Sequence, residues 1–287
     1  LMAVPYKAPV KDIVFGYEVI DSYNVLNKIS AFSDFSEDIV IPTMEECAKF
    51  SEEVLAPINA IGDQQGATIK DGVVTMPEEF VDAYQKFAEA GWASISLPSD
   101  IGGGGMPITL SGGTLEILST ANLAFGLAPG LSAGAISAIN FHGSQEQKDK
   151  FLPKLVSGEW TGTMNLSEPQ SGSDLGTITT KAEPQEDGSY KITGTKVWIT
   201  FGEHNMTENI IHLVLAKVPG SPEGTKGISM FIVPKYTVND DGSVGDSNNV
   251  SCISIEEKLG IHASPTCVME YDGSVGYLVG EENRGLN

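Results

Sequence analysis

The sequence predicts an α+β fold: a helical N-terminal domain over residues 1–158, then a β-barrel or β-sandwich domain over 159–279. Three observations predict it. Up to Ser157, apolar residues recur at helical spacing behind proline and capping signals. From about Trp160 the pattern changes to short apolar runs bounded by Gly and Pro. No helix-length segment separates those runs, which argues against a Rossmann sheet.

The elements follow in order. Thr43-x-x-Glu46 reads as a capping box behind Pro42, with Met44, Cys47, Ala48, Val54, Leu55 and Ile58 as the buried stripe. Pro77 suits the first position of the next helix, Phe80, Val81, Tyr84, Phe87 and Ala88 form its stripe, and Gly91 stops it. The run Ile101-Gly-Gly-Gly-Gly-Met106 lacks the Gly-Lys-Ser/Thr of a phosphate loop and reads as a flexible connection. Leu123 to Phe141 is the most apolar long stretch. Its Gly, Ala and Ser content suits a tightly packed helix of a soluble protein better than a membrane span. Ser144-x-x-Gln147 opens a short helix ahead of Pro153. In the second half, Gly188 to Thr200 reads as strand, turn at Gly194, and strand. Ile210–Ala216, Gly227–Val233, Val250–Ile255 and Thr266–Tyr271 supply four more strands. The polar stretch 280–287 reads as the lead into a further helical domain.

Composition narrows the function. Thirty-eight acidic against 17 basic side chains give a formal charge of −21, which repels nucleic-acid backbones and anionic membranes. A 41% hydrophobic content excludes a disordered polyanion. Cys47, Cys252 and Cys267 are odd in number without a Cys-x-x-Cys pair, and His142, His204, His212 and His262 show no ligand spacing. Neither a disulfide framework nor a metal site is expected. His212, inside an apolar run, reads as a satisfied core histidine. Residues 1–11 lack the shape of a signal peptide, so the cytosol or an organelle matrix is the expected location.

Three segments could carry chemistry. Gly130-Leu-Ser132-Ala-Gly134 matches the G-x-S-x-G nucleophile elbow, but its flanks are helical and small, so a serine hydrolase on Ser132 is only the remote alternative. The segment Thr163-Met-Asn-Leu-Ser-Glu-Pro-Gln-Ser-Gly-Ser-Asp174 gathers hydroxyls around Gly172, where a backbone can approach a ligand closely, and reads as an anion or polar-cofactor cradle. In Val197-Trp-Ile-Thr200, Trp198 and Thr200 fall on one face of a strand. An indole beside a hydroxyl suits a flat heterocycle with a polar edge.

These last two segments resemble the signatures of the acyl-CoA dehydrogenase family of flavoproteins. One is Asn165-Leu-Ser-Glu-Pro-Gln-Ser-Gly-Ser-Asp174; the other, Gly194-Thr-Lys-Val-Trp-Ile-Thr200, is similar to the family's Gly-x-Lys-x-x-Ile-Thr strand. Leu259-Gly-Ile-His-Ala-Ser-Pro-Thr266 and Gly280-Glu-Glu-Asn-Arg-Gly285 extend the likeness, which runs from about Glu45 to the end. The resemblance implies a helical N-terminal domain, a β middle domain and a C-terminal helical bundle expected beyond Asn287, with FAD between the last two. Met164, Leu166 and Ser167 would line the flavin ring; Gly172 and Ser173 would hold the pyrophosphate, Ser173 also bordering the acyl-CoA channel. Trp198 and Ile199 would pack at the flavin, and Thr200 would hydrogen-bond near its reactive nitrogen.

The implied reaction is α,β-dehydrogenation of an acyl-CoA thioester to the trans-2-enoyl-CoA. Electrons would pass to an electron-transfer flavoprotein, and the enzyme would be a homodimer or homotetramer. The general-base Glu belongs to the bundle, so no residue here is named catalytic. Three positions depart from the family pattern: Asn165 replaces a small residue, Met164 stands where many members carry an aromatic, and Val218 where some carry serine. The N-terminal stretch Tyr6-Lys-Ala-Pro-Val-Lys-Asp12 resembles the larger bacterial members, which include long-chain and methylthiopropanoyl-CoA dehydrogenases. Within the same chemistry an acyl-CoA oxidase, or a non-catalytic acyl-CoA- and flavin-binding fragment, remains open.

Overall fold

The computed structural model describes residues 5–286. Eight α-helices occupy the first half: α1 (Val10–Val19), α2 (Ser22–Leu26), α3 (Glu37–Phe50), α4 (Ala56–Gln65), α5 (Glu78–Glu89), α6 (Ile108–Ala121), α7 (Leu123–His142) and α8 (Gln145–Ser157). A small hairpin, β1 (Thr68–Lys70) and β2 (Val73–Thr75), interrupts them. Their core joins Met44, Leu55, Phe80, Phe87, Leu110 and Phe125, and reaches into the second half at Phe201, Met206 and Ala263.

The second half holds nine strands: β3 (Thr161–Asn165), β4 (Lys181–Pro184), β5 (Tyr190–Thr200), β6 (Ile210–Lys217), β7 (Ile228–Pro234), β8 (Tyr236–Val238), β9 (Val244–Ser247), β10 (Val250–Glu256) and β11 (Thr266–Val279). Pairing runs β11–β5–β4–β6–β7 and returns from β7 to β11, so the sheet closes into a barrel. Closure pairs the barrel strands on both sides, while β3 and β10 each ladder with a single neighbour. One edge of β6 is shared: β3 runs parallel to its first half, and β4 meets its end at Lys217. The connection from β3 to β4 therefore lies along one edge of the barrel.

Both faces of β6 are covered. Ile211, Leu213 and Leu215 pack with Ile136, Ile139, Leu152 and Leu155 of α7 and α8, while Val214 and Ala216 face the barrel interior with Phe231, Val233 and Met269. A strand buried on both sides needs the unbroken apolar run that the sequence shows.

Several local expectations change. Helix α3 starts at Glu37 and carries Pro42 inside it, and the Thr43 hydroxyl donates to the Ile39 carbonyl (2.7 Å) rather than capping. Val40, Met44, Cys47 and Ala48 are buried on either side of the proline, and that shared burial outweighs the lost backbone bond. Helix α8 passes Pro153 for the same reason, with Phe151, Leu152, Leu155 and Val156 buried; its Ser144–Gln147 capping box is formed. Gly194 is no turn: β5 is continuous, and a Cβ there would lie 2.4 Å from the Thr180 hydroxyl. The glycine run is folded back rather than loose. The amides of Gly103, Gly104, Gly105 and Met106 bond to Pro98, Ser94, Leu97 and Ile95, and a Cβ at Gly103 would meet the Leu97 carbonyl at 2.2 Å.

Helix α7 is long and apolar enough to cross a membrane by length and composition. It packs on β3, where a Cβ on Gly162 would collide with Ala135 at 2.5 Å, and Ser132 accepts the Gly162 amide (3.0 Å). The small residues of the G-x-S-x-G match thus seat a strand against a helix. The serine sits mid-helix with no preceding strand, which removes the nucleophile-elbow geometry.

Polar groups line one side of the barrel interior. On β3, Thr161, Thr163 and Asn165 share a face. Thr161 pairs with His204 Nε2 (2.9 Å), Thr163 with His212 Nδ1 (2.7 Å), and Asn165 accepts from the Tyr271 hydroxyl (2.8 Å). Burial, with the charge of Lys235 adding to it, pushes both histidines down to about 3, so both are neutral. His212 is only half satisfied, because its buried Nε2 has no protein partner among the described residues.

Candidate functional site

The β3–β4 connection is a built loop. Glu168 and Ser171 exchange backbone hydrogen bonds (2.7 and 2.9 Å), Ser171 Oγ donates to the Asp174 carbonyl (2.6 Å), and Asp174 Oδ1 accepts the Gly176 amide (2.9 Å). Beneath it lies a buried ion pair that the sequence reading did not identify: Lys196 Nζ stands 2.8 Å from Glu168 Oε1, with the two side chains 0% and 2% exposed. Lys196 also donates to the Leu166 carbonyl (3.0 Å). Glu168 accepts from the Thr179 amide (2.7 Å) and hydroxyl (3.0 Å), the Thr180 amide (3.1 Å) and hydroxyl, and Gln170 (2.7 Å). Burial alone would raise this carboxyl; the Lys196 charge and the donated bonds outweigh it and hold the group at about 2. Each partner lies within one of the two signatures, but 28 positions separate them, so no local spacing marks them as a pair.

The second signature is shaped by a bulge. In the β5–β11 register Ile199 pairs with Cys267 and Lys196 with Met269, so Val197 and Trp198 together oppose Val268. Trp198 takes the extra position with φ +60° and is 54% exposed. A bulged residue in the left-handed region re-aims its side chain, and a bulky residue held there at some cost points to function. Trp198 stands beside the loop tip, where a Cβ on Gly172 would meet its Cζ3 at 3.9 Å and nothing nearer. The Val197 amide ties the two motifs by bonding to the Ser167 carbonyl (2.9 Å).

The sequence-predicted residues fall as follows. Trp198, Gly172 and Ser173 are exposed, and Met164, Leu166, Ser167 and Thr200 are half-buried. Met164 lies on the α7 side of β3, 3.8 Å from where a Cβ on Gly134 would sit. Ile199 differs: alternation on β5 turns its side chain into the barrel core, leaving only its backbone on the open side. The hydroxyls of Ser167, Ser173 and Thr200 have no protein partner among the described residues, whereas those of Ser171, Thr179 and Thr180 are bonded. An open indole, a glycine at the loop tip and three free hydroxyls fit a flat heterocycle bearing polar edges and an anionic tail.

Comparison with known proteins agrees with this geometry. Residues 42–159 match the family profile "acyl-CoA dehydrogenase, N-terminal domain", and residues 163–274 match "acyl-CoA dehydrogenase, middle domain". The chain is 47% identical over 281 residues to the 3-methylmercaptopropionyl-CoA dehydrogenase of Ruegeria pomeroyi, covering 98% of this chain and 48% of that protein. It is 34% identical over 290 residues to a broad-specificity linear acyl-CoA dehydrogenase of Mycobacterium tuberculosis, covering 98% and 47%. A crystal structure of an acyl-CoA dehydrogenase complexed with FAD from Bacillus anthracis superposes with TM-score 0.70 at 26% identity, covering 88% of this chain and 39% of that one. The chain thus spans about half the length of the curated relatives it matches. With both domain profiles matched along most of its length, the chain belongs to the acyl-CoA dehydrogenase family.

Proposed function

We propose that the chain forms the flavin-binding face of an FAD-dependent acyl-CoA dehydrogenase that oxidises an acyl-CoA thioester to the trans-2-enoyl-CoA. The observation that carries this reading is Trp198, an exposed indole on a strained bulge beside the Gly172 loop tip. Bound FAD supplies the acceptor for the hydride that leaves the β-carbon. Trp198 stacks against the flavin, and Thr200 and Ser167 donate to its polar edge, which stabilises charge developing there. Met164 and Leu166 keep water from the ring, while Gly172 and Ser173 approach the pyrophosphate; Ile199 contributes through its backbone alone.

Glu168 is not the base. Its oxygens are engaged by Lys196, Gln170, Thr179 and Thr180, and a carboxyl held at about 2 has little appetite for an α-proton. A Glu outside this chain takes that role in our reading. The 47% identity to the Ruegeria pomeroyi protein supports 3-methylthiopropanoyl-CoA as the substrate in this proposal, with a linear fatty acyl-CoA second. An electron-transfer flavoprotein as acceptor, homo-oligomeric assembly and a cytoplasmic location belong to the same proposal.

The test is a panel of acyl-CoAs with the protein expressed from its complete reading frame, following flavin bleaching without oxygen. Bleaching fastest with 3-methylthiopropanoyl-CoA supports the substrate assignment. Bleaching confined to short branched acyl-CoAs refutes that assignment, and no bleaching with any acyl-CoA refutes the reaction.

A further inference from the structure

Four polar side chains inside the barrel are linked by hydrogen bonds, and one of them, Asn165, lies between Met164 and Leu166 in sequence. The Tyr271 hydroxyl donates to Asn165 Oδ1 (2.8 Å), Asn165 Nδ2 donates to Thr163 Oγ1 (2.8 Å), and Thr163 Oγ1 meets His212 Nδ1 (2.7 Å). All four side chains are essentially inaccessible to solvent. Thr163 Oγ1 is thus shared between Asn165, which donates to it, and His212, so one hydroxyl joins β3 to β6.

The placement of this chain matters more than its length. Tyr271 belongs to β11, which pairs with β5, β7 and β10; Asn165 belongs to β3, which pairs with β6. The Tyr271–Asn165 bond therefore crosses the barrel between strands that share no ladder. It grips β3 at its last residue, where the chain leaves for the cradle loop. Met164 and Leu166 flank Asn165 in sequence, and alternation along the strand turns them away from the barrel interior while Asn165 turns into it. Any rotation of β3 about its axis moves Met164 and Leu166 with Asn165.

We infer that Tyr271 and Asn165 are positioning residues for the cofactor: their hydrogen bond across the barrel fixes the end of β3 so that Met164, Leu166 and Ser167 present a single surface to the flavin. This rests on the FAD reading above. Neither residue touches the cofactor; both act through the residues beside Asn165. Tyr271→Phe removes one oxygen and keeps the ring in the core, so it isolates the bond from the packing. Ser274→Ala is the matched control: Ser274 is also buried on β11 and donates to the Asn249 carbonyl (2.8 Å), away from β3.

The experiment measures FAD affinity and the visible absorption envelope of bound flavin at a temperature well below unfolding, using protein expressed from the complete reading frame. Tyr271→Phe is expected to weaken FAD binding roughly tenfold, the factor carried by about one hydrogen bond, and to change the envelope, while Ser274→Ala leaves both at wild-type values. Asn165→Ala should reproduce the Tyr271→Phe effect, and the double variant should be no worse than Asn165→Ala alone, as expected for two ends of one bond. Asn165→Ala carries the test if Tyr271→Phe fails to fold. Equal behaviour of Tyr271→Phe and Ser274→Ala, or additive effects in the double variant, overturns the inference and leaves the FAD reading intact. A wild-type protein that binds no FAD overturns both.

Discussion

Lys196→Met tests whether the cradle loop is held from below. The substitution keeps an unbranched apolar stem of similar length and removes the ammonium that faces Glu168 at 2.8 Å. Glu168 is held at about 2 against an ordinary glutamate value of 4.5. That difference corresponds to roughly 3 kcal/mol of preference for the ionised form in the folded state. Losing the lysine leaves a buried carboxylate with its threonine and glutamine donors but no counter-charge, a class of change that costs about 3–5 kcal/mol. Because those donors remain, the lower end applies: about 3 kcal/mol, or roughly 6–12 °C in the thermal midpoint for a domain of this size.

Urea denaturation at neutral pH, followed by far-ultraviolet circular dichroism, reads the loss directly. The pH dependence has a definite sign. The folded pKa of Glu168 is depressed, so its contribution is present above about 4.5 and is lost as pH falls toward about 2. The gap between wild type and Lys196→Met should narrow across that window. Glu168→Gln/Lys196→Met should recover part of the loss, since no unpaired charge is then buried. A Lys196→Met protein within about 0.5 kcal/mol of wild type would refute the reasoning, because no buried pair of this kind could then be supporting the loop.

Three further outcomes are expected. His204 and His212 are both pushed down to about 3, so each stays neutral when folded but takes a proton when unfolded below about 6.5. Stability should fall from pH 6.5 toward 3 by roughly 1.4 kcal/mol per pH unit for each histidine, and His204→Asn should lower that slope by about half in urea titrations at stepped pH. Gly194→Ala places a methyl 2.4 Å from the Thr180 hydroxyl and 2.9 Å from its Cα. Overpacking of that kind costs about 1–3 kcal/mol, visible as a lower urea midpoint. Trp198→Ala removes a side chain that is 54% exposed, so the unfolding free energy from urea titration should stay within about 1 kcal/mol of wild type while FAD affinity falls.

Much of this architecture was legible because burial leaves a periodic trace. The stripe Phe80, Tyr84 and Phe87 repeats at helical spacing because one face of α5 meets the core, and the unbroken run Ile210–Ala216 reflects a strand covered on both sides. Boundaries at Pro42 and Pro153 were misplaced because tertiary burial on both sides of a proline overrides its local cost. Gly194 looked like a turn because a glycine needed for close approach to Thr180 is indistinguishable in sequence from one that bends the chain. The cradle's hydroxyls and Trp198 were legible as motifs, since their chemistry is written in residue type. The Glu168–Lys196 pair and the Tyr271–Asn165 bond join residues 28 and 106 positions apart, and no spacing rule links positions that meet only when a barrel closes.

The central claim is that Trp198 and the Gly172 loop form one face of an FAD site, and equilibrium titration with FAD tests it most directly. Protein expressed from the complete reading frame should bind FAD with the visible bands of an enclosed flavin and with quenching of the Trp198 contribution to fluorescence, and Trp198→Ala should lose at least tenfold in affinity at unchanged fold, about 1.4 kcal/mol. Wild-type protein that takes up no FAD, or a Trp198→Ala variant that binds it as tightly as wild type, would contradict the account.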